Sequence, residues 1–339
     1  MKKLTVVILN WNGKTLMETF LPSVIACTPE EEADIVVADN GSTDGSVAML
    51  KEKFPKVRLI LLEKNYGFAE GYNQALKHID TPYSVLLNSD VEVTPGWTEA
   101  PVKALNEKPR IAGVQPKIRA QMNKDYFEYA GACGGFMDRY GYPYCRGRLL
   151  YEIEKDQGQY DTQSDVLWAT GACLFIRTEV YKKEGGLDSR FFAHQEEIDL
   201  CWRLRCRGYR LICTPESVVY HVGGATLSVE SPRKTYLNFR NNLLTVYKNL
   251  PDADLTHVMR MRFWLDYLAA LKFLITGHPR NTKAVYSARR DYHRLKATYA
   301  PIREENKRKT TQTTIPELSP KSLIVSFYLK GIRKYADLH

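Results

Sequence analysis

Short apolar runs that stop abruptly on polar clusters recur through the first ninety residues. Leu4 to Leu9 (LTVVIL) ends on Asn10-Trp11-Asn12-Gly13, and Ile35 to Ala38 (IVVA) ends on Asp39-Asn40-Gly41-Ser42. Val57 to Leu62 is a third run, and Val85 to Leu87 leads through Asn88-Ser89 to Asp90. Uninterrupted apolar runs of this length predict strands covered on both faces, the habit of a parallel sheet. Between them the period changes to that of a helix. Thr15 to Ala26 carries Leu16, Phe20, Leu21, Val24 and Ile25 at helical spacing, Ser46 to Phe54 repeats the habit, and Gly71 to His78 gives a shorter helix. The β-α-β-α order predicts a parallel sheet whose strands all feed polar loops at one edge. Open sheets of this kind bind ligands at the carboxyl ends of their strands.

Each loop has two readings. Asn, Ser and Asp bond their own backbone in turns, so Asp39 reads either as an Asx turn before Gly41 or as an acceptor offered to a ligand. Asp90, which ends the run LLNSDVEV, reads either as a strand-end turn or as a carboxylate presented at the sheet edge. Asp44 reads as a cap for the helix that begins near Gly45. Gly67 and Gly71, in KNYGFAEGYNQAL, let the backbone approach a ligand closely.

The second half concentrates its carboxylates in one place, Phe191-Phe192-Ala193-His194-Gln195-Glu196-Glu197-Ile198-Asp199. Asp199, followed by Leu200, Trp202 and Leu204, starts an amphipathic helix and caps it or pairs with Arg203 or Arg207. His221 closes the apolar VVYH before Gly223 and reads as a structural histidine or as a ligand. The Tyr-rich run from Tyr140 to Tyr151, after Cys133-Gly134-Gly135, reads as an insertion over the site.

Charge then divides the chain. From Ser231 onward there are 21 Lys plus Arg against 8 Asp plus Glu, a net of +13, whereas the first 230 residues carry a net of −4. A basic tail on a mildly acidic body suggests an anionic partner. No nucleic-acid module is present, so nucleic acid is not the expected partner. Val258 to Ile275 sets Phe263, Trp264, Tyr267, Leu271, Phe273 and Leu274 beside Arg260, Arg262 and Lys272, the composition either of a helix lying in an anionic bilayer surface or of one packed on the body. Leu323 to Tyr335 repeats that character, and the charged, Thr-rich Ile302 to Pro320 between them reads as a flexible linker. No run of about eighteen apolar residues predicts a membrane span. The apolar run after Met1-Lys2-Lys3 is broken at Asn10, against a signal peptide. Seven cysteines without a CxxC pair fit a reducing compartment.

The segments VVILNWNG, VVADNGSTDGS, KNYGFAEGYNQAL and LLNSDVEV, in this order, resemble the amino-terminal half of family 2 inverting glycosyltransferases of the GT-A fold. TGACLFIRTEVYKKEGGLDSRFFAHQEEIDLCWRLRCRGY and VVYHVGGATLS are similar to the acceptor half of the rhamnosyltransferase-like members, so the likeness runs over roughly residues 3 to 245. The resemblance implies an α/β fold, a mostly parallel Rossmann-like sheet with helices on both faces, over residues 1–245, with about 1–115 as nucleotide-binding half and 116–245 as acceptor half. Residues 246–339 then form a basic, amphipathic helical appendage. It also implies that Asn10, Asn12, Asp39, Asn65, Gly67, Asn73, Asn88 and Ser89 line the nucleotide pocket, with Asp39 on the pyrimidine imide N–H. Asp90 matches the last residue of the DXD motif, whose first Asp is Asn88 here, and would bind Mg²⁺ or Mn²⁺ with His221 as a further ligand. Glu197 aligns with the general base, one methylene longer than the family's Asp, with Glu196 as the alternative. Thr170 and Gly171 fall in the acceptor loop, and Trp168 either stacks on a sugar ring or packs in the core.

The expected activity is metal-dependent, inverting transfer of a sugar to a hydroxyl of a surface-polysaccharide or lipid-linked acceptor, with dTDP-rhamnose favoured as donor. The alternatives are a UDP-hexose or UDP-N-acetylhexosamine donor, or a silent sugar-nucleotide-binding protein. A dinucleotide oxidoreductase is disfavoured because no GxGxxG follows the first strand. The expected location is the cytoplasm, peripheral on the inner face of an anionic membrane.

Overall fold

The computed structural model describes residues 2–223 and 231–338, so Gly224 to Ser228 of the VVYHVGGATLS motif lie outside the described residues. The first half alternates β1 (Leu4–Asn10), α1 (Lys14–Cys27), β2 (Ala33–Asp39), α2 (Ser46–Lys53), β3 (Arg58–Leu61), α3 (Gly67–Leu76) and β4 (Tyr83–Asn88). There follow β5 (Val91–Val93), α4 (Glu99–Glu107), β6 (Ile111–Ala120), and four short strands, β7 (Gly135–Asp138), β8 (Pro143–Cys145), β9 (Arg148–Leu149) and β10 (Glu152–Ile153). The body closes with β11 (Ser164–Val166), β12 (Cys173–Arg177), α5 (Thr178–Lys183), α6 (Glu196–Cys206) and β13 (Arg210–His221). The tail holds α7 (Pro232–Asn249), α8 (Asp252–Ile275), α9 (Pro279–Lys309), β14 (Leu318–Ser319) and α10 (Leu323–Tyr328).

The main sheet runs β11-β13-β6-β12-β4-β1-β2-β3, with β5 added beside β13. The first four strands are mutually parallel, as their fully buried Val6, Val7, Val36, Val37, Val85 and Leu86 require. Register matters more than content here. Asn10 pairs with Asp39 and Leu9 with Asn88, so three strands deliver their terminal polar residues to one line at the edge. The chain order reverses between β1 and β4, which opens the crevice where such sheets take ligands. On the other side β12 runs antiparallel to β4, and the Asn88 N–H donates to the Ala172 carbonyl at 3.0 Å. The register of β13 sets His221 opposite Val91, the neighbour of Asp90.

The Tyr-rich insertion forms a second sheet, β10-β9-β8-β7-β14, whose last strand comes from the tail. That pairing corrects the expected flexible linker at Ile302 to Pro320. α9 continues to Lys309, Thr311 N–H donates to the Cys206 carbonyl at 2.8 Å, and Glu317, 5 % exposed, pairs with Arg205 at 2.6 Å. A charged stretch becomes ordered when its charges find buried partners, and composition does not reveal those partners.

The tail also anchors the carboxylate helix. Lys248 of α7 is buried, with Nζ 2.8 Å from both Asp188 Oδ2 and Asp199 Oδ2, while Arg203 Nε lies 3.0 Å from Asp199. Burial pushes the Asp188 carboxyl up, but Lys248 and Arg190 outweigh it and hold it at about 2. This stabilisation is therefore fully present above the ordinary carboxylate range and is lost as pH falls through about 2. Lys248→Met leaves two buried carboxylates short of a cation and is expected to cost about 3–5 kcal/mol, read as a lowered denaturant midpoint.

Candidate active site

The β1, β2 and α3 loops form a single hydrogen-bonded wall. Asp39, 3 % exposed, accepts from Ser42 N–H at 2.9 Å through Oδ1 and from Asn10 Nδ2 at 3.0 Å through Oδ2. The Asx bond sets the Asp39 carboxylate at the strand end. Asn12, in the left-handed region at φ 50°, accepts from Thr43 N–H at 2.7 Å and donates its own N–H to Ser42 Oγ at 2.9 Å. Trp11 stands half exposed between Asn10 and Asn12. Asn65 Oδ1 accepts from Gly67 N–H at 2.8 Å and from Asn40 Nδ2 at 3.2 Å. Asn40, absent from the expected set, donates to the Gly67 carbonyl as well, stitching β2 to α3. Gly67 has φ +78°, and a Cβ there would stand 2.6 Å from the Phe192 ring, so both its backbone and its surroundings demand glycine.

Asn73 lies apart from this network. Its Oδ1 accepts from Tyr181 Oη–H at 2.7 Å and Leu187 N–H at 3.0 Å, and its Nδ2 donates to the Leu187 carbonyl at 2.8 Å. The amide ties α3 to the 181–187 segment. Ser89 Oγ faces the β1 loop, 3.8 Å from where a Cβ on Gly13 would stand.

At the end of β4, Asp90 is 6 % exposed, and its Oδ1 lies 3.1 Å from His221 Nε2. Asn88 Nδ2 lies 3.4 Å from the same nitrogen, and His221 Nδ1 lies 3.4 Å from Glu128 Oε1. Burial disfavours the imidazolium, but the Glu128 charge and the Asp90 hydrogen bond win and lift His221 to about 10. Burial likewise pushes Asp90 up, and the His221 contact reverses this to a net lowering. Without a cation the imidazolium balances the two carboxylates. A carboxylate oxygen and an imidazole nitrogen facing one another are donors that a divalent cation accepts, and Glu128 places a second carboxylate behind the ring. Among the described residues no three His, Cys, Asp or Glu side chains group around one point.

The carboxylate helix begins under strain. Phe192, His194 and Gln195 all have positive φ, at 66°, 70° and 74°, which non-glycine residues adopt only when held. The holder is Asn241 of α7, fully buried, whose Nδ2 donates to the carbonyls of Phe191, Ala193 and His194 at 3.0, 2.9 and 2.8 Å. Replacing it with Leu removes these bonds, each worth about 0.5–1.5 kcal/mol, and should lower turnover more than donor affinity, checked by kinetics beside calorimetry. Glu196 and Glu197 follow at the first turn of α6. Each keeps one carboxylate oxygen buried without a hydrogen-bond partner, so burial raises both carboxyls, Glu196 further because the Glu197 charge faces it. Glu197 has the compensation of the Gly171 N–H.

Gly171 sits between α3 and α6, since a Cβ there would lie 3.1 Å from Phe68 Cζ and 3.9 Å from Glu197 Cβ. Thr170 is buried, its N–H bound to Gln115 Oε1 at 2.9 Å and its hydroxyl accepting from Ala172 N–H at 3.2 Å, so it shapes the Gly171 turn. Trp168 is core and not a sugar platform: it is 2 % exposed, its Nε1 donates to the Phe136 carbonyl at 2.8 Å, and its ring covers Gly135 so closely that a Cβ there would stand 2.1 Å away.

Residues 5–185, rather more than half of the chain, match the family described as Glycosyl transferase family 2. The chain belongs to that family. Asp39, Asn88, Asp90 and Gly171 of this glycosyltransferase lie inside the matched stretch, and Glu196, Glu197 and His221 lie beyond it. Over 232 residues it is 26% identical to the N-acetylglucosaminyl-diphospho-decaprenol L-rhamnosyltransferase of Mycobacterium tuberculosis, covering 64% of this chain and 75% of that one. Over 219 residues it is 31% identical to the low-salt glycan biosynthesis hexosyltransferase Agl10 of Haloferax volcanii, covering 62% and 66%. The fold is shared with the mannosyltransferase PcManGT from Pyrobaculum calidifontis, solved with GDP-Man and Mn²⁺, at a TM-score of 0.53 and 17% identity over 91% of this chain and 84% of that one. It is shared equally with residues 1–349 of S. aureus TarS in complex with UDP, at a TM-score of 0.54 and 16% identity over 91% and 88%. The enzyme is thus a hexosyltransferase of GT-A architecture, a mixed sheet with the helical tail packed upon it.

Proposed function

We propose that this glycosyltransferase moves a sugar, with inversion, from a nucleoside diphosphate donor to a hydroxyl of a lipid-linked or growing surface glycan at the inner face of a membrane. The observation that carries the reading is the apposition at Gly171. Glu197 touches the loop whose next residue bonds the end of β4, where Asp90 meets His221. A base and a diphosphate-neutralising pair thus flank one sheet edge. Asp39 and the Asn10, Asn12 and Asn65 loops hold the nucleotide on the other side.

Glu197 takes the proton from the acceptor hydroxyl as its oxygen attacks the anomeric carbon, opposite the departing diphosphate. Asp90 and His221 fit Mg²⁺ or Mn²⁺ and would hold it, and when bound that ion neutralises the leaving diphosphate. dTDP-rhamnose is the favoured donor, supported by the name of the mycobacterial relative. The UDP complex of the TarS neighbour keeps UDP-sugars as the alternative. The test is a panel of dTDP-rhamnose, UDP-hexoses and UDP-N-acetylhexosamines, following nucleoside diphosphate release and the anomeric configuration of the product by NMR. One donor class should turn over with inversion. Binding of a donor without release under any acceptor would return the chain to a silent binding protein, and a retained configuration would remove Glu197 from the role of base.

A further inference from the structure

α8 is built inside out. Its buried stripe is Val258, Arg262, Asp266 and Ala270, and its outward faces carry Trp264, Leu268, Leu271, Leu274 and Ile275, between 50% and 76% exposed. A helix on a water-soluble body turns its apolar stripe inward. Here the rotation is fixed by charge. Arg262 Nε lies 3.1 Å from Asp266, and Arg289 of α9 pairs with the other Asp266 oxygen. Turning the leucines inward would pull this network apart, so the apolar exposure belongs to the folded state. Arg262, expected from the sequence to flank a lipid-facing surface, is therefore part of the interior.

The exposed face does not end with α8. Lys272 Nζ donates to Tyr328 Oη at 3.3 Å and lies 5.6 Å from the centre of that ring and 5.5 Å from that of Tyr151. α10 thus lies beside the C-terminal half of α8, adding Leu329 at 80% exposed, and Tyr151 joins this edge to the insertion over the acceptor half. Two apolar segments some fifty residues apart form one surface. Alongside, Phe263 packs edge-on against Trp264 at 5.2 Å and opens a cleft of about 460 Å³ walled by Tyr267 and Tyr286 and rimmed by Lys283 and Arg290.

We propose that this surface is where the enzyme docks on an anionic lipid bilayer, with Trp264, Leu268, Leu271, Leu274 and Leu329 entering the acyl boundary and the cleft receiving a lipid phosphate headgroup. The proposal deepens the membrane location stated above and rests on that part of the reading, while using none of its donor or acceptor chemistry. Charge selects the occupant. Between Asp266 and Asp291 the chain carries only basic charges, Lys272, Arg280, Lys283, Arg289 and Arg290, and between Glu317 and Asp337 only Lys321, Lys330, Arg333 and Lys334. A second copy would set these like-charged rims against each other, whereas an anionic leaflet neutralises them. Among the described residues no helix is long and apolar enough to cross a membrane, which agrees with shallow seating in the interface.

The experiment is flotation of the full chain with vesicles of phosphatidylcholine alone and with added phosphatidylglycerol. The wild-type chain should float with the anionic vesicles, weaken but persist in high salt, and show Trp264 quenching by brominated lipid that Trp264→Phe abolishes. Leu271→Glu with Leu274→Glu, both already in solvent, should lower the bound fraction about tenfold or more while circular dichroism and donor hydrolysis stay unchanged. Lys283→Glu with Arg290→Glu should remove the preference for anionic lipid. Flotation of the leucine variant equal to wild type overturns the proposal. So does a wild-type chain that ignores vesicles and elutes as a dimer that the leucine variant dissolves, which would assign the surface to a second copy.

Discussion

Asp90→Ala is expected to lower sugar transfer by about three orders of magnitude, because charge neutralisation at a departing diphosphate is worth several kcal/mol and each 1.36 kcal/mol is about tenfold in rate. The variant loses the carboxylate that faces His221 Nε2 at the end of β4, while Glu128 still lies 3.4 Å from the other ring nitrogen. The neighbouring Asn88 side chain is uncharged, so it does not replace the lost carboxylate. The same loss should follow in the wild-type enzyme with excess chelator, and Mn²⁺ or Mg²⁺ should restore the wild type but not the variant. Undiminished turnover in chelator would separate Asp90 from any cation and leave its pairing with His221 as a purely structural contact.

Glu197→Gln is expected to slow transfer by about two to four orders of magnitude with donor affinity unchanged, the share of a positioned general base. Glu196→Gln should cost far less. The two carboxyls differ in what surrounds them. Glu196 is 4 % exposed, and burial together with the facing Glu197 charge raises its carboxyl well above its ordinary range. Glu197 also rises through burial, but its carboxylate accepts from backbone N–H groups, that of Gly171 among them, which favours its ionised form. Only an ionised carboxylate accepts a proton. The acid limb of kcat/KM should therefore lie above the ordinary carboxylate range in the wild type and vanish in Glu197→Gln. Calorimetry with the nucleotide checks that both variants still bind. A larger loss in Glu196→Gln would shift the base by one residue.

The strands of the first half were legible almost to the residue. Four apolar runs became β1 to β4, each within a few residues of its expected ends, because a strand buried on both faces writes its boundaries in composition. Helix starts were less legible. α3 opens at Gly67 and not Gly71, and α6 at Glu196 and not Asp199, because contacts with distant residues fix where each helix begins: Phe68 N–H bonds the Phe192 carbonyl, and Asn241 clamps the turn before Glu196. Trp168 sat in a matching motif yet is buried, and Asn73 hydrogen-bonds the 181–187 segment. A side chain's neighbours belong to the fold, and no local pattern records that the Trp168 ring lies on Gly135.

The sequence by itself determined the parallel core, the polar edge and the carboxylate segment, since period, turn chemistry and strand-end residues are short-range properties. It also determined the basic charge of the tail. Tertiary structure alone decided which charges became buried partners and which apolar residues stayed outside. Lys248 reached Asp188 across 60 residues and Asp199 across 49, Glu317 found Arg205, and Glu128 came to lie behind His221. The rotation of α8 was settled in the same way, because an ion network shared by Arg262, Asp266 and Arg289 turns a helix by its charges when those charges have nowhere else to be satisfied.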